Sequence, residues 1–78
     1  MSEKDILGWL KTSFFLDVAK ALEKSSMSTS EVAKMVNLSE KSCDEILYHL
    51  ESSQAVEYAG SRWKLTELGQ RVLDKYFK

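Results

Sequence analysis

Two signals for the start of a helix stand close together in this chain, at Ser28 and Ser39, and they constrain its fold more than any other feature. Ser28 and Glu31 have the spacing of a capping box, in which two side chains satisfy backbone N–H groups of the first turn. Asn37 lies between the signals, and its short polar side chain tolerates the left-handed conformation that ends many helices. Residues 28–53 are therefore predicted to form two short helices joined by a tight turn.

After these helices the hydrophobic pattern changes from a helical period to the alternation typical of strands. Gly60 and Ser61 separate two alternating segments, and glycine at the first position of a two-residue loop suits a type II′ turn. Tyr58 and Trp63 fall on the same inward side by alternation, so we expect both to pack in the core. Residues 55–66 are predicted to form a short hairpin.

Helical periodicity also marks both ends of the chain. The segment 3–24 has an apolar stripe at i, i+4 spacing, which is typical of a helix with one buried side. Thr12 and Ser13 prefer helix caps to helix interiors, so the pattern leaves open whether this segment is one helix or two. Thr66 can cap a last helix over residues 67–77.

The composition fits one globular domain over residues 1–78, since 44% hydrophobic and 29% charged residues are a balance that supports a core. The predicted fold class is mainly α with a small β-hairpin (α+β), in the order helix, helix, helix, hairpin, helix. No apolar stretch is long enough to span a bilayer, so we expect a cytoplasmic protein with no membrane partner. Cys43 is the single cysteine, which excludes an internal disulfide and favours a reducing compartment.

This order of elements resembles the winged helix-turn-helix family, and individual residues carry the resemblance too. Ala33 lies where the family has a small residue against the facing helix, and Asn37 follows four positions later, at the turn residue that is often glycine. Residues 50–58 resemble the passage from the recognition helix into the wing, and residues 63–69 resemble the exit from it. Over about residues 14–77 the chain is similar to small archaeal and bacterial regulators of the MarR-like and ArsR-like groups.

The resemblance implies a DNA-binding transcriptional regulator, in which the second helix of the motif enters the major groove of double-stranded DNA and the wing meets phosphates. The residues expected to face bases are Lys41, Ser42, Glu45, Tyr48 and His49, and those expected to meet phosphates are Arg62 and Lys64. Two features depart from the family pattern. Gln54-Ala55 stands where the family has Gly-Leu, and Asp44 and Glu45 stand where it often has basic or hydroxyl residues.

The charge of the chain favours a second interpretation. Eleven Lys and Arg against twelve Asp and Glu give a net charge of −1, whereas DNA-binding domains usually have a basic excess. A single lysine faces four acids between Glu40 and Glu51. Winged helices also act as dimerisation or adaptor modules, for instance at the N-terminus of some small-molecule methyltransferases. The alternative is therefore a protein-interaction module that does not bind DNA.

Large apolar residues exceed what the terminal helices need to cover one core. A helix with one buried side needs about three apolar residues in seven, and both ends of this chain have more. We expect the surplus to form a homodimer interface, and the alternative is that it covers the domain's own core. The residues concerned are Trp9, Phe14, Phe15, Leu16, Tyr76 and Phe77.

The sequence has no recognisable set of catalytic residues, and the chain is not expected to be an enzyme. It has no glycine-rich phosphate loop, and Asp44 and Glu45 diverge on a helix instead of forming a carboxylate pair. His49 lacks partners at metal-binding spacing, and Cys43 has the position of a small core residue. We therefore predict no catalytic site, no metal site and no cofactor.

Overall fold

The N-terminal apolar stripe is divided between two helices. In the computed structural model, which describes residues 3–78, α1 spans Glu3–Leu10 and α2 spans Phe15–Lys24. The last turn of α1 closes with a hydrogen bond from the Thr12 N–H to the Trp9 carbonyl (2.9 Å). Phe14 then adopts a left-handed conformation with φ of 68°. The segment is therefore two helices, and Thr12 and Ser13 lie in the turn between them. Phe14 occupies the N-cap position of α2 and makes no side-chain cap hydrogen bond.

The helix-turn-helix follows as α3, Thr29–Val36, and α4, Glu40–Ser52. Both hydrogen bonds of the capping box are present, because the Ser28 hydroxyl accepts from the Glu31 N–H and the Glu31 carboxylate accepts from the Ser28 N–H. Asn37 is left-handed with φ of 60°, as predicted, and Ser39 caps α4 by accepting from the Ser42 N–H. The local signals of the sequence therefore determine both helix starts and the turn.

The wing is a two-stranded antiparallel hairpin of β1, Val56–Ala59, and β2, Arg62–Leu65. Its two-residue loop differs from the predicted type II′ turn. Gly60 and Ser61 have φ of 60° and 64°, and positive φ at both central positions defines type I′. Both turn types match the twist of the flanking strands, and a short polar residue after glycine can adopt the second left-handed conformation.

A short stretch that leads into the first residue of α3 adds a third, strand-like partner to the hairpin. The Met27 N–H donates to the Trp63 carbonyl (3.0 Å), and the Trp63 N–H donates back to the Met27 carbonyl (2.6 Å). The indole N–H of Trp63 also donates to the Thr29 hydroxyl (2.9 Å). Residues 26–29, which we call the wing anchor, therefore hold β2 by its backbone and by a side chain.

The core lies between the helices and the inner side of the wing, and it contains apolar residues from every element. Ile6, Val18, Val32, Leu47, Leu50, Val56 and Val72 are fully buried. The helix α5, Glu67–Tyr76, closes the domain, and Thr66 caps it by accepting from the Gly69 N–H (3.0 Å). No helix in residues 3–78 is long and apolar enough to cross a membrane.

The prediction that Tyr58 packs in the core is wrong, since this residue is 51% exposed whereas Trp63 is buried. The two residues pair directly across the hairpin, and their rings lie 4.6 Å apart. The strand β2 lies between β1 and the wing anchor, so Trp63 is central and Tyr58 is on the edge strand. Alternation correctly indicated a shared face, but it could not indicate which strand is at the edge.

The carbonyl of Ala55 ties the end of α4 to the start of α5. It accepts from the N–H (3.0 Å) and the hydroxyl (3.2 Å) of Thr66. Gly69 packs so closely against this carbonyl that a side chain at position 69 would overlap it. Gln54, the residue before Ala55, is left-handed with φ of 70°. Glycine adopts this conformation without strain, which explains why the family has glycine at this position.

We predict that Gly69→Ala destabilises the domain by about 1–3 kcal/mol, because the new methyl group would overlap the Ala55 carbonyl and force backbone movement. Gly8→Ala is the matched control. Gly8 lies in α1 with open space where a methyl group would be added, so the substitution should stabilise by up to about 1 kcal/mol through helix propensity. Urea unfolding of both variants measures the difference, and equal effects at the two positions would contradict this packing.

Candidate nucleic-acid interface

The helix α4 presents one buried and one exposed side. Cys43, Ile46, Leu47 and Leu50 point into the core. The five residues predicted to face bases are all exposed, and Tyr48 is the most open of the large hydrophobic residues at 63% exposure. Lys41, Glu45 and Tyr48 lie on the outermost line of the helix, opposite the buried stripe.

His49 differs from the other four because its ring packs against the N-terminal helices. The imidazole stacks on the indole of Trp9 with 4.6 Å between ring centroids and 19° between planes. The ring of Phe15 lies 6.2 Å from it on the same side. The imidazole therefore lies toward the corner between α1 and α2, beside the outermost line of α4.

Acidic side chains surround the exposed side of α4. Among residues 3–78, the carboxylates of Glu40, Asp44, Glu45 and Glu51 take part in no ion pair. Lys41 is the one lysine or arginine of this helix. The outer side of α4 is therefore electronegative, and this field opposes non-specific attraction to phosphates.

Arg62 of the wing is held by the wing anchor. Its guanidinium donates to the Ser26 carbonyl (2.9 Å) and the Ser26 hydroxyl (3.4 Å), and it forms an ion pair with Glu31 (3.2 Å). The pKa of Glu31 is lowered, chiefly by hydrogen bonds from the backbone and side chain of Ser28 and to a smaller extent by the charge of Arg62. Arg62 thus fastens the wing to the first turn of α3.

Lys64, the other basic residue predicted to meet phosphates, forms an ion pair with Glu57 (3.1 Å) directly across the hairpin. Both side chains are about half exposed, so water screens the pair and it contributes little to stability. Both basic residues of the wing therefore have acidic partners within the domain. To contact a phosphate, each of these residues would have to break its ion pair within the domain.

Sequence reasoning missed a group of three lysines that form no ion pair within residues 3–78. Lys20 and Lys24 of α2 line a groove of about 430 Å³ against the exposed Met35 of α3, and Lys34 lies beside Met35 in the sequence. The i, i+4 spacing of Lys20 and Lys24 on the polar side of α2 was the available signal. Unpaired positive charge is therefore found on α2 as well as at Lys41, whereas the charge of Lys34 acts on Glu31 of the same helix.

Cys43 behaves as a small core residue. It is fully buried, and burial, followed by the charges of Asp44 and Glu40, raises the pKa of its thiol to about 11. A thiol that stays protonated at neutral pH is a poor nucleophile and a poor metal ligand. Residues 3–78 contain no group of three or more His, Cys, Asp or Glu residues arranged to hold a metal ion.

The six residues predicted for a homodimer interface have different environments. Phe14 and Tyr76 are 50% and 44% exposed, whereas Trp9, Leu16 and Phe77 are half-buried and pack against the core. Phe15 is only 6% exposed. The structure assigns Phe15 to the core, because the turn at residues 11–14 directs the start of α2 inward.

Comparison with known proteins agrees with this architecture. The family model described as winged helix-turn-helix matches residues 11–78. The chain belongs to the winged helix-turn-helix family. A search of curated proteins finds no match to this winged helix.

A search of solved structures finds a chain that shares the fold of this winged helix. It is an O-methyltransferase from neocarzinostatin biosynthesis, crystallised in complex with S-adenosyl-L-homocysteine. The match has a TM-score of 0.70 and 22% identity, and it covers 90% of this chain but only 23% of that chain. At this identity the similarity shows a common fold and no more.

We predict that Arg62→Ala lowers the free energy of unfolding by about 0.5–1.5 kcal/mol, because the winged helix loses a charged hydrogen bond to the Ser26 carbonyl. Lys64→Ala, on the same strand, should cost less than about 0.5 kcal/mol, since its ion pair is a screened surface contact. Urea denaturation monitored by circular dichroism compares the two variants. A Lys64→Ala loss as large as that of Arg62→Ala would contradict the anchoring role.

Proposed function

We propose that this winged helix binds double-stranded DNA as a transcriptional regulator, with α4 as its recognition helix. The observation that supports this proposal best is the outer side of α4. Lys41, Glu45 and Tyr48 are exposed along its length, while the opposite side of the same helix is completely packed. An uncovered helix of this kind, supported from behind by α3, has the shape that enters a major groove.

The exposed groups of α4 have chemistry suited to base edges. The Glu45 carboxylate can accept a hydrogen bond from the amino group of cytosine, and Lys41 can donate to guanine or to a phosphate. The Ser42 hydroxyl can donate or accept, and it lies in the first turn of the helix. His49 has a smaller part in this proposal, because its ring is stacked on Trp9. Selectivity would come from these contacts more than from general attraction to phosphates.

A specific observation also favours the rival function, a protein-interaction module. Glu40, Asp44, Glu45 and Glu51 are unpaired within residues 3–78, and with Tyr48 they form an acidic surface around an aromatic residue. A basic protein would suit such a surface. The structurally similar O-methyltransferase, of which this fold makes up about a quarter, illustrates a winged helix within an enzyme. DNA binding therefore needs a direct test.

We predict salt-dependent binding to mixed double-stranded DNA fragments, measured by fluorescence anisotropy from low to physiological salt. Lys41→Ala should weaken binding to all sequences and reduce the salt slope by about one counterion unit, because one phosphate contact is lost. Ser42→Ala should change sequence preference with little effect on the slope. Lys75→Ala is the control, since Lys75 lies on α5 and pairs with Glu3. A folded protein without affinity for DNA at low salt would favour the interaction module.

We also propose that the domain acts as a homodimer, in which Phe14 and Tyr76 are the exposed anchors. A two-fold interface would bury both and set two recognition helices on one DNA duplex. Light scattering at high micromolar concentration should give about twice the monomer mass. Phe14→Glu combined with Tyr76→Glu should give a folded monomer, whereas Met35→Glu, at an equally exposed residue of α3, should remain dimeric. A monomeric wild-type protein would contradict the dimer.

A further inference from the structure

An open surface cavity of about 300 Å³ lies between α4 and the corner that joins α1 to α2. Trp9 and Phe15 form its aromatic side, and Ser42, Glu45 and His49 of α4 form the other. This volume is at the lower end of what small-molecule sites offer, so it fits a ligand of one ring. The cavity adjoins the surface of α4 that is proposed to meet DNA.

The aromatic rings that border the cavity stack on one another. The rings of Trp9 and Phe15 are nearly parallel, with 9° between their planes and 5.4 Å between centroids. The imidazole of His49 extends the same set of parallel planes at 19° to the indole. Offset stacking is the preferred arrangement of aromatic rings, so the open edge of this stack favours another planar ring over a branched aliphatic group.

The polar groups of the cavity add a preference of charge. Within residues 3–78, the side chains of Glu45, Ser13 and His49 make no hydrogen bond or ion pair. Of the described residues 3–78, Glu45 is the one with a formal charge that lines the cavity. A cation at this place would be attracted by the charge of the carboxylate. It would also be attracted by the negative faces of the aromatic rings.

We propose that this cavity binds a small planar aromatic cation, a ring that carries an amine or an amidine. The ring would stack beside Trp9 and the cationic group would pair with Glu45. The ligand would then cover Ser42, Glu45 and His49, three of the residues predicted to face bases. The regulatory consequence of ligand binding rests on the proposed function, because a ligand bound in the cavity would compete with DNA for α4.

The binding step is tested on the full chain with benzamidine as the probe and NMR as the readout. Benzamidine should shift the indole N–H of Trp9 and the backbone amides of Ser42, Glu45 and His49. Benzoate, which has the opposite charge on the same ring, should bind more weakly by a factor of about five or more. Benzyl alcohol, a neutral ring, should lie between the two.

Two variants of α4 distinguish a direct ion pair with Glu45 from a general effect of the negative charge of the helix. Glu45→Gln should weaken benzamidine binding by a factor of about five and leave benzyl alcohol unchanged. Asp44→Asn removes the neighbouring charge, which does not line the cavity, and should leave both affinities nearly unchanged. Equal effects of the two variants, equal affinity for benzoate, or shifts centred on the groove between α2 and α3 would each overturn the proposal.

The regulatory step has its own readout. Saturating benzamidine should weaken DNA binding of the wild-type chain and of Asp44→Asn by the same factor, because both chains keep the cavity. A chain that binds benzamidine at the cavity but binds no DNA would contradict the proposed function alone. A chain that binds DNA with an affinity unaffected by saturating benzamidine would overturn the competition.

Discussion

The attachment of β2 to the wing anchor is the interaction on which the rest of the domain depends. Two backbone hydrogen bonds join Met27 to Trp63, and the Trp63 indole and the Arg62 guanidinium add contacts to Thr29 and Ser26. An isolated two-stranded hairpin is marginal in water, so it needs such support. Because the anchor runs directly into α3, the orientation of the wing is fixed relative to the helix-turn-helix.

The distribution of ion pairs determines which surfaces can bind a charged partner. Basic residues of the wing and of α5 are paired with acids of the same domain, as for Arg62 with Glu31 and Lys75 with Glu3. The acids of α4 and the lysines of α2 remain unpaired within residues 3–78. The net charge of −1 is therefore the sum of separate surfaces of opposite sign. Under the proposed function, a partner would meet an acidic α4, and selectivity would come from hydrogen bonds and aromatic contact.

The candidate site was only partly predictable. Exposure of the five residues on α4 follows from helical periodicity, because the apolar stripe fixes the opposite side. The partner of Arg62 did not follow, since the wing anchor is distant in sequence and nothing in the wing itself specifies it. The stack of His49 on Trp9 was equally hidden, because it requires the corner at Phe14 that brings α1 back toward α4.

The sequence by itself determined the local elements. Ser28, Asn37, Ser39 and Thr66 specify helix ends through short-range hydrogen bonds and backbone preferences, and these operate within one turn of chain. Tertiary structure decided which side chains of those elements are buried and which are exposed. Phe15 is core and Phe14 is exposed although they are neighbours, and Trp63 is buried although its cross-strand partner Tyr58 is not. Such differences depend on contacts between distant segments, and those contacts exist only after the chain has folded.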